Sequence, residues 1–179
     1  MSNRHLSRSI AMQTLFEWDF HNQAKKSVSE MLAFNLAEFA PDFDDNGFIK
    51  SLIDGVLKNA AKIDKMIEKY APEWPLAQIT LVDRNILRLG IFELKFNEEI
   101  PSKVAINESI ELAKTFGGNS SGKFINGVLG AIYREMVEKN QLKKVDLENK
   151  KDTKEEAIEL SPSPSPSLSQ SAEIKKIKI

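Results

Sequence analysis

The sequence predicts an all-α protein of six to seven helices, arranged as two three-helix halves and followed by a disordered C-terminal tail. Apolar residues recur at three- and four-residue intervals through long segments, which is the spacing of one helix face. No segment shows the strict alternation of apolar and polar residues that is typical of a strand. Proline, glycine and capping residues stand between the periodic segments, where helices begin and end.

The first four helices are predicted over residues 3–20, 27–39, 46–70 and 81–96. Ser27 and Glu30 form the pattern of a capping box at the start of the second helix. The third helix keeps its apolar period throughout, and the sequence leaves open a break near Asn59. Together these segments supply most of the expected apolar core.

The fourth helix begins after Thr80, which forms a second capping-box pattern with Asp83. This helix is apolar nearly all round, so it is predicted to be the central, buried helix. Arg88 on it is expected to pair with Glu108 or Glu111 of the following helix, in a structural rather than a catalytic role.

Residues 101–136 are predicted to form two helices joined by a short turn. Pro101 suits a helix start, because the first helical position needs no backbone donor. Gly117 and Gly118 end the first helix, since glycine adopts the left-handed conformation of a helix end without strain. Three residues that can each cap the next helix follow, namely Asn119, Ser120 and Ser121.

The helix after this turn has two different faces. Its core face consists of Ile125, Val128, Leu129, Ile132 and Met136. Lys123, Gly127, Gly130 and Arg134 gather on the opposite side, with Phe124 and Asn126 at the borders. Two glycines inside a helix cost about 1 kcal/mol each. Either another helix of the same protein or a ligand is therefore expected to come close to that side.

The last 40 or so residues differ in composition from the rest. From Lys139 onward charged residues dominate, followed by SPSPSPS and a final IKKIKI. Few large apolar residues remain to offset the entropy of ordering, which predicts disorder. The domain is therefore assigned to residues 1–138 and the tail to residues 139–179. The tail is expected to be removable after Asn140 without loss of the fold, although IKKIKI could serve as an interaction segment.

Composition argues against several functions. The chain has no cysteine, which fits a reducing cytoplasm and excludes thiolate metal sites. It has no membrane-length apolar run and no signal peptide. Only His5 and His21 could supply an imidazole, and the sequence contains no metal or dinucleotide motif. A binding protein without enzyme activity, cofactor or metal is therefore expected.

The first helix begins with the cations Arg4, His5 and Arg8. Cations at a helix N-terminus oppose the helix dipole, so this placement is locally unfavourable. It indicates either an external anion or a solvated basic start. The net charge of -1 excludes a globally basic nucleic-acid-binding protein but permits a local basic patch.

Three blocks of this sequence resemble the NusB family of bacterial transcription antitermination factors. They are PSKVAINESIELAKTFGGNSSGKFINGVL, VDRNILRLGIFEL and RSIAMQTLFEWDF. The first block is specific, and the resemblance covers roughly residues 4–137. It implies an all-helical RNA-binding fold that binds boxA RNA together with NusE, a small-subunit ribosomal protein. The resulting antitermination complex acts on RNA polymerase, notably on ribosomal RNA operons.

The resemblance also implies which residues form the sites. RNA contacts are expected from Arg4, His5, Arg8, Phe16, Lys123 and Phe124, with Phe16 and Phe124 as stacking platforms. Contacts with RNA or NusE are expected from Asp83, Gly118, Asn119, Ser120 and Ser121.

The sequence also departs from the family pattern. Leu6 interrupts the basic start, and Ser120 and Gly130 stand where acidic residues are frequent in the family. Weak affinity for RNA alone and strong dependence on the partner are therefore expected. Two alternatives stay open: a domain related to the RNA-binding part of an rRNA cytosine methyltransferase, or a protein-binding adaptor without RNA contact.

Overall fold

A computed structural model describes residues 3–21 and 27–149. Within these ranges the chain forms seven α-helices and no strand, which confirms the all-α class. The helices are α1 (Asn3–Phe20), α2 (Val28–Phe39), α3 (Phe48–Tyr70), α4 (Leu81–Lys95), α5 (Ser102–Gly117), α6 (Asn119–Glu138) and α7 (Lys144–Asn149). A short 3-10 turn, Leu76–Gln78, precedes α4. None of the described helices is long and apolar enough to cross a membrane.

The two predicted halves are present. In the first, α1 packs against α2 and α3; in the second, α4, α5 and α6 pack against one another. The central helix α4 also contacts α1 and α3, and every residue from 85 to 94 is buried. A Cβ added at Gly55 of α3 would lie 2.0 Å from the Phe92 ring, so glycine permits the close approach of α3 to α4.

Two glycines of α6 lie inside the packed helices. Gly127 and Gly130 are both buried, in a helix that packs against α3, α4 and α5. Of the two sequence-based interpretations, crowding by other helices therefore holds, and these positions do not face a ligand.

The buried cation of α4 joins the two halves. Arg88 is 1% exposed and contacts Asp19 of α1 and Asp64 of α3, each at 2.8 Å. The prediction that it pairs with Glu108 or Glu111 is wrong, because its side chain points toward the first half instead of toward α5.

Helix ends agree with the sequence only in part. Thr80 caps α4 as predicted, its hydroxyl accepting a hydrogen bond from the Asp83 nitrogen at 3.1 Å. The Ser27 side chain makes no capping hydrogen bond on α2. No side chain caps α6 either, which follows Gly118 at φ 86°. At Asn59 α3 is unbroken.

Residues 139–149 correct the predicted start of the tail. They continue from α6 through a turn into α7, and Lys143 and Asp146 are buried at 5% and 8% exposure. Their buried contacts are polar, so a search for large apolar residues missed them. Residues 150–179, with SPSPSPS and IKKIKI, lie outside the described residues.

Candidate nucleic-acid and partner interface

Arg8 lies inside the protein, 2% exposed. Its Nε donates to both carboxylate oxygens of Glu93 at 3.0 Å, and Glu93 is fully buried on α4. Burial raises the pKa of Glu93, and the Arg8 charge opposes that rise. The structure thus contradicts the prediction that Arg8 contacts RNA; its charge neutralises a buried carboxylate.

The other two cations of α1 lie nearer the surface. Arg4 is exposed, with its guanidinium 4.4 Å from the centre of the Phe48 ring. His5 is partly buried, and its Nδ1 lies 2.8 Å from the Glu108 carboxylate of α5. That carboxylate is also 3.6 Å from Arg8. The positive charge at the start of α1 is therefore partly neutralised within the protein.

A cleft of about 340 Å³ lies beside Arg4. Asp44, Asp45 and Glu99 line it, and Asp45 accepts hydrogen bonds from the first turn of α3. Three carboxylates disfavour a phosphate inside this cleft. Arg4 is therefore expected to contact a nucleic-acid backbone on the side of its guanidinium that faces away from the cleft.

Aromatic side chains cluster toward the other end of α1. Phe16 lies 6.3 Å from Phe20 with the two rings nearly parallel, and the Phe20 side chain is 62% exposed. Phe16 also lines an apolar groove of about 260 Å³, together with Met12, Gln13, Val82 and Phe116. An accessible aromatic face beside an apolar groove suits stacking of an unpaired base.

The sequence did not point to Phe116 as part of this groove. Phe116 follows the buried Ala105, Ile106 and Ala113 at helical spacing, which is typical of a core position, yet it is 37% exposed. Phe116 lies in the last turn of α5, beyond the part of the helix whose apolar face is covered by the core. Gly117 and Gly118 follow Phe116 directly and connect α5 to α6, so one wall of the groove stands next to this connection.

The turn between α5 and α6, taken here as Gly118 and the first three residues of α6, is only partly accessible. Gly118, Asn119 and Ser120 are exposed, whereas Ser121 is 1% exposed. A Cβ added at Gly117 would lie 2.3 Å from the Ser121 hydroxyl. The first three residues can meet a partner directly, and the structure contradicts direct contact by Ser121.

Asp83 lies beneath the turn and is completely buried. Its Oδ1 is 3.3 Å from the position that a Cβ of Gly117 would take. Burial raises the pKa of Asp83, and the nearby Ser121 and Thr80 hydroxyls partly offset that rise. Neither carboxylate oxygen of Asp83 has a hydrogen-bond partner among the described residues. The prediction of direct partner contact by Asp83 is therefore contradicted.

Phe124 is also a core residue. It is 2% exposed and borders a small cavity of about 120 Å³ with Tyr70, Trp74 and Val128. The end of α3 and the segment after it cover the border of α6 on which Phe124 lies. The prediction that Phe124 stacks on RNA is therefore wrong, whereas its neighbour Lys123 is exposed.

Comparisons with known proteins agree on the family. A sequence model described as "NusB family" matches residues 5–134. The chain is 40% identical to "Transcription antitermination protein NusB" of Dehalococcoides mccartyi over 138 residues, 76% of this chain and 94% of that protein. A Bacillus cereus protein of the same name is 40% identical over 129 residues, 72% of this chain and 95% of that protein.

Solved structures show the same fold. NusB of T. maritima is 34% identical with a TM-score of 0.65, covering 75% of this chain and 92% of that one. A chain in the structure "Antitermination Factors NusB and NusE in complex with dsRNA" is 29% identical with a TM-score of 0.67, covering 75% and 98%. The family match, the relatives and the fold lead to one conclusion: this chain belongs to the NusB family.

Proposed function

We propose that this protein is a transcription antitermination factor that binds boxA RNA together with NusE. In this role it joins the RNA polymerase antitermination complex and supports transcription of ribosomal RNA operons. Family membership supports the proposal, as does the likeness to a solved assembly of NusB, NusE and dsRNA. The single observation that carries it is the aromatic groove at Phe16, one wall of which stands next to the exposed turn between α5 and α6.

The RNA side of the proposed interface follows α1. Arg4 and His5 at its start would meet the phosphate backbone, and Phe16 would stack on an unpaired base. Phe16 lies twelve positions after Arg4, or about 18 Å along the helix. That span accommodates several nucleotides of single-stranded RNA. Lys123 on α6 would add a further phosphate contact.

The NusE side would centre on Gly118, Asn119 and Ser120, the exposed residues of the turn. Asp83 and Ser121 would shape the turn from beneath without touching the partner. The protein would act by binding alone, with no catalytic step, in the cytoplasm where nascent RNA is made.

Neutralised charge sets the expected affinity. Arg8 is paired with Glu93, and His5 contacts Glu108. Few cations at the start of α1 are therefore left to contact RNA phosphates. Binding of boxA RNA by the protein alone is expected to be weak. NusE would then supply the additional contacts that make the complex stable.

Fluorescence anisotropy with labelled boxA RNA tests this proposal, with a scrambled RNA of the same composition as the control. The titration is done with the protein alone, with NusE alone and with both, at several salt concentrations. We expect the two proteins together to bind boxA RNA at least tenfold more tightly than either protein does alone. We also expect them to bind boxA RNA at least tenfold more tightly than the scrambled RNA. Equal affinity for both RNAs would contradict the proposal.

One alternative has a specific observation in its favour. The neutralised cations at the start of α1 also suit an adaptor that binds NusE without touching RNA. In that case Arg4→Ala would leave the affinity and its salt dependence unchanged in the three-component titration. Under the proposed function the same variant weakens binding and flattens the salt dependence. The names of the relatives favour antitermination over a domain of an rRNA methyltransferase.

A further inference from the structure

A second groove, outside the proposed RNA and partner surfaces, lies between α1 and α2. Its volume is about 300 Å³, and Glu17, Glu30, Met31 and Phe34 line it. Met31 is 2% exposed and forms the floor, whereas Phe34 is 61% exposed at the rim. The groove thus combines an apolar surface with two carboxylates.

Within the described residues, no cation pairs with either of the two carboxylates. Neither Glu17 nor Glu30 forms an ion pair with another residue of the described ranges 3–21 and 27–149. Phe34 leaves most of its ring in water, where an apolar contact would be favourable. A ligand for this groove should carry aliphatic side chains and positive charges close together.

The chain's own last six residues have that composition. Residues 174–179 read IKKIKI, with three isoleucines, three lysines and no acidic side chain. We propose that this segment binds in the groove between α1 and α2 of the same molecule. Isoleucine side chains cover Met31 and Phe34, while lysine ammonium groups pair with Glu17 and Glu30.

Chain length permits this contact. Twenty-five positions separate Asn149, the last described residue, from Ile174. At full extension they span about 80–90 Å, more than twice the roughly 35 Å length of α3, the longest described helix. Because the segment is tethered to its site, its effective concentration is high, and a weak interaction suffices.

A single spin label tests the proposal. The chain has no cysteine, so Ser171→Cys gives the full-length protein one labelling site next to the segment. Paramagnetic broadening of backbone amide signals then reports which surface the segment visits. We expect the strongest broadening around Glu17, Glu30 and Phe34, weakening as salt screens the ion pairs.

Two further labelled proteins separate chemistry from chance proximity. Phe34→Ala should reduce the broadening at the groove, whereas Phe39→Ala changes another exposed α2 phenylalanine outside the groove and should not. Charge reversal at Lys175, Lys176 and Lys178 should abolish the groove signal. Both phenylalanines are exposed, so folding is not at issue in either variant.

Three results would overturn the proposal. The first is uniform or absent broadening in the full-length protein. The second is broadening that persists after charge reversal. The third comes from mixing spin-labelled protein with isotope-labelled protein that carries no spin label: groove broadening that appears fully in this mixture would assign the bound segment to a second copy of the chain.

Discussion

Asp146 caps α5 from a distant part of the chain. Its carboxylate accepts hydrogen bonds from the Ser102 main-chain nitrogen at 2.7 Å and from the Ser102 hydroxyl at 2.6 Å. Ser102 is the first residue of α5, so an acidic side chain from α7 satisfies a backbone donor at that helix start. Beside it, the Lys143 ammonium donates to the main-chain oxygens of Glu93 in the last turn of α4 and of Asn97 and Ile100 in the connection to α5.

The first prediction concerns this C-terminal anchor. The sequence alone suggests that the chain can end after Asn140 at no cost, but this cut removes Lys143 and Asp146 and leaves the polar groups that they contact without partners. We expect a loss of about 2–4 kcal/mol in the free energy of unfolding, measured by urea denaturation. Ending the chain after Asn149 keeps the anchor and serves as the control.

Two point variants show whether the anchor is the cause. Lys143→Met should destabilise the protein by about 1–3 kcal/mol, whereas Lys144→Met, at an exposed position, should change stability by less than about 0.5 kcal/mol. Equal stability of the two shortened chains would show that residues 141–149 do not support the fold.

The second prediction concerns Arg8. Arg8→Met leaves the fully buried Glu93 without its cation, so we expect a loss of about 3–5 kcal/mol in stability. The double variant Arg8→Met/Glu93→Met removes both charges and should recover most of that loss. RNA affinity per folded molecule should stay unchanged. If Arg8→Met kept near-native stability but lost RNA binding, Arg8 would instead be a direct RNA contact.

Periodicity was enough to predict the helices, their order and the central position of α4. It could not predict which neighbours cover a border residue. Phe124 is buried because the end of α3 covers it. Phe116 is 37% exposed because it lies in the last turn of α5, beyond the helices that cover the rest of that apolar face. Pairing failed in the same way: Arg88 meets Asp19 and Asp64, which are distant in sequence. Only the three-dimensional packing decides these contacts.

The candidate site shows the same limit. Basic character at the start of α1 was visible in the sequence, but the carboxylates that neutralise it were not, since Glu93 and Glu108 lie on other helices. The resemblance pointed to Gly118, Asn119, Ser120 and Ser121 as partner contacts, and the first three of these residues are exposed. It could not separate the exposed Ser120 from the buried Ser121.

The third prediction is a pH dependence at Asp83. Burial raises the pKa of this carboxyl above its ordinary value of 3.8, so the folded protein holds the proton more tightly than the unfolded chain. Stability linked to Asp83 is therefore present below pH 3.8 and is lost as the pH rises through the folded pKa. Asp83→Asn removes this loss, so the variant should gain stability relative to the native protein toward neutral pH.

Urea denaturation between pH 3 and 8 measures the difference. Asp54→Asn, which changes an exposed carboxylate on α3, is the matched control and should show no such gain toward neutral pH. A constant stability difference between Asp83→Asn and the native protein across this range would show that Asp83 does not titrate as a buried group.

The last prediction contrasts two phenylalanines, one half-buried at a groove and one fully buried. Phe16→Ala should cost less stability than Phe124→Ala, because its ring packs against the core on one side only and lines an open groove on the other. Loss of one stacking platform should weaken boxA binding in the presence of NusE by about 1–3 kcal/mol, or roughly 5- to 150-fold. Phe124→Ala removes a ring that is 2% exposed, and should cost about 3–5 kcal/mol of stability.

Urea unfolding and RNA titration on the same preparation separate the two effects. Phe124→Ala should bind RNA with native affinity per folded molecule, at a temperature where it remains folded. The groove at Phe16 is open and is lined by Phe116, two residues before Gly118, whereas the Phe124 side chain is 2% exposed and lies beside Tyr70 and Trp74. If Phe124→Ala weakened RNA binding and Phe16→Ala destabilised the fold instead, the RNA surface would lie on α6 and not on α1.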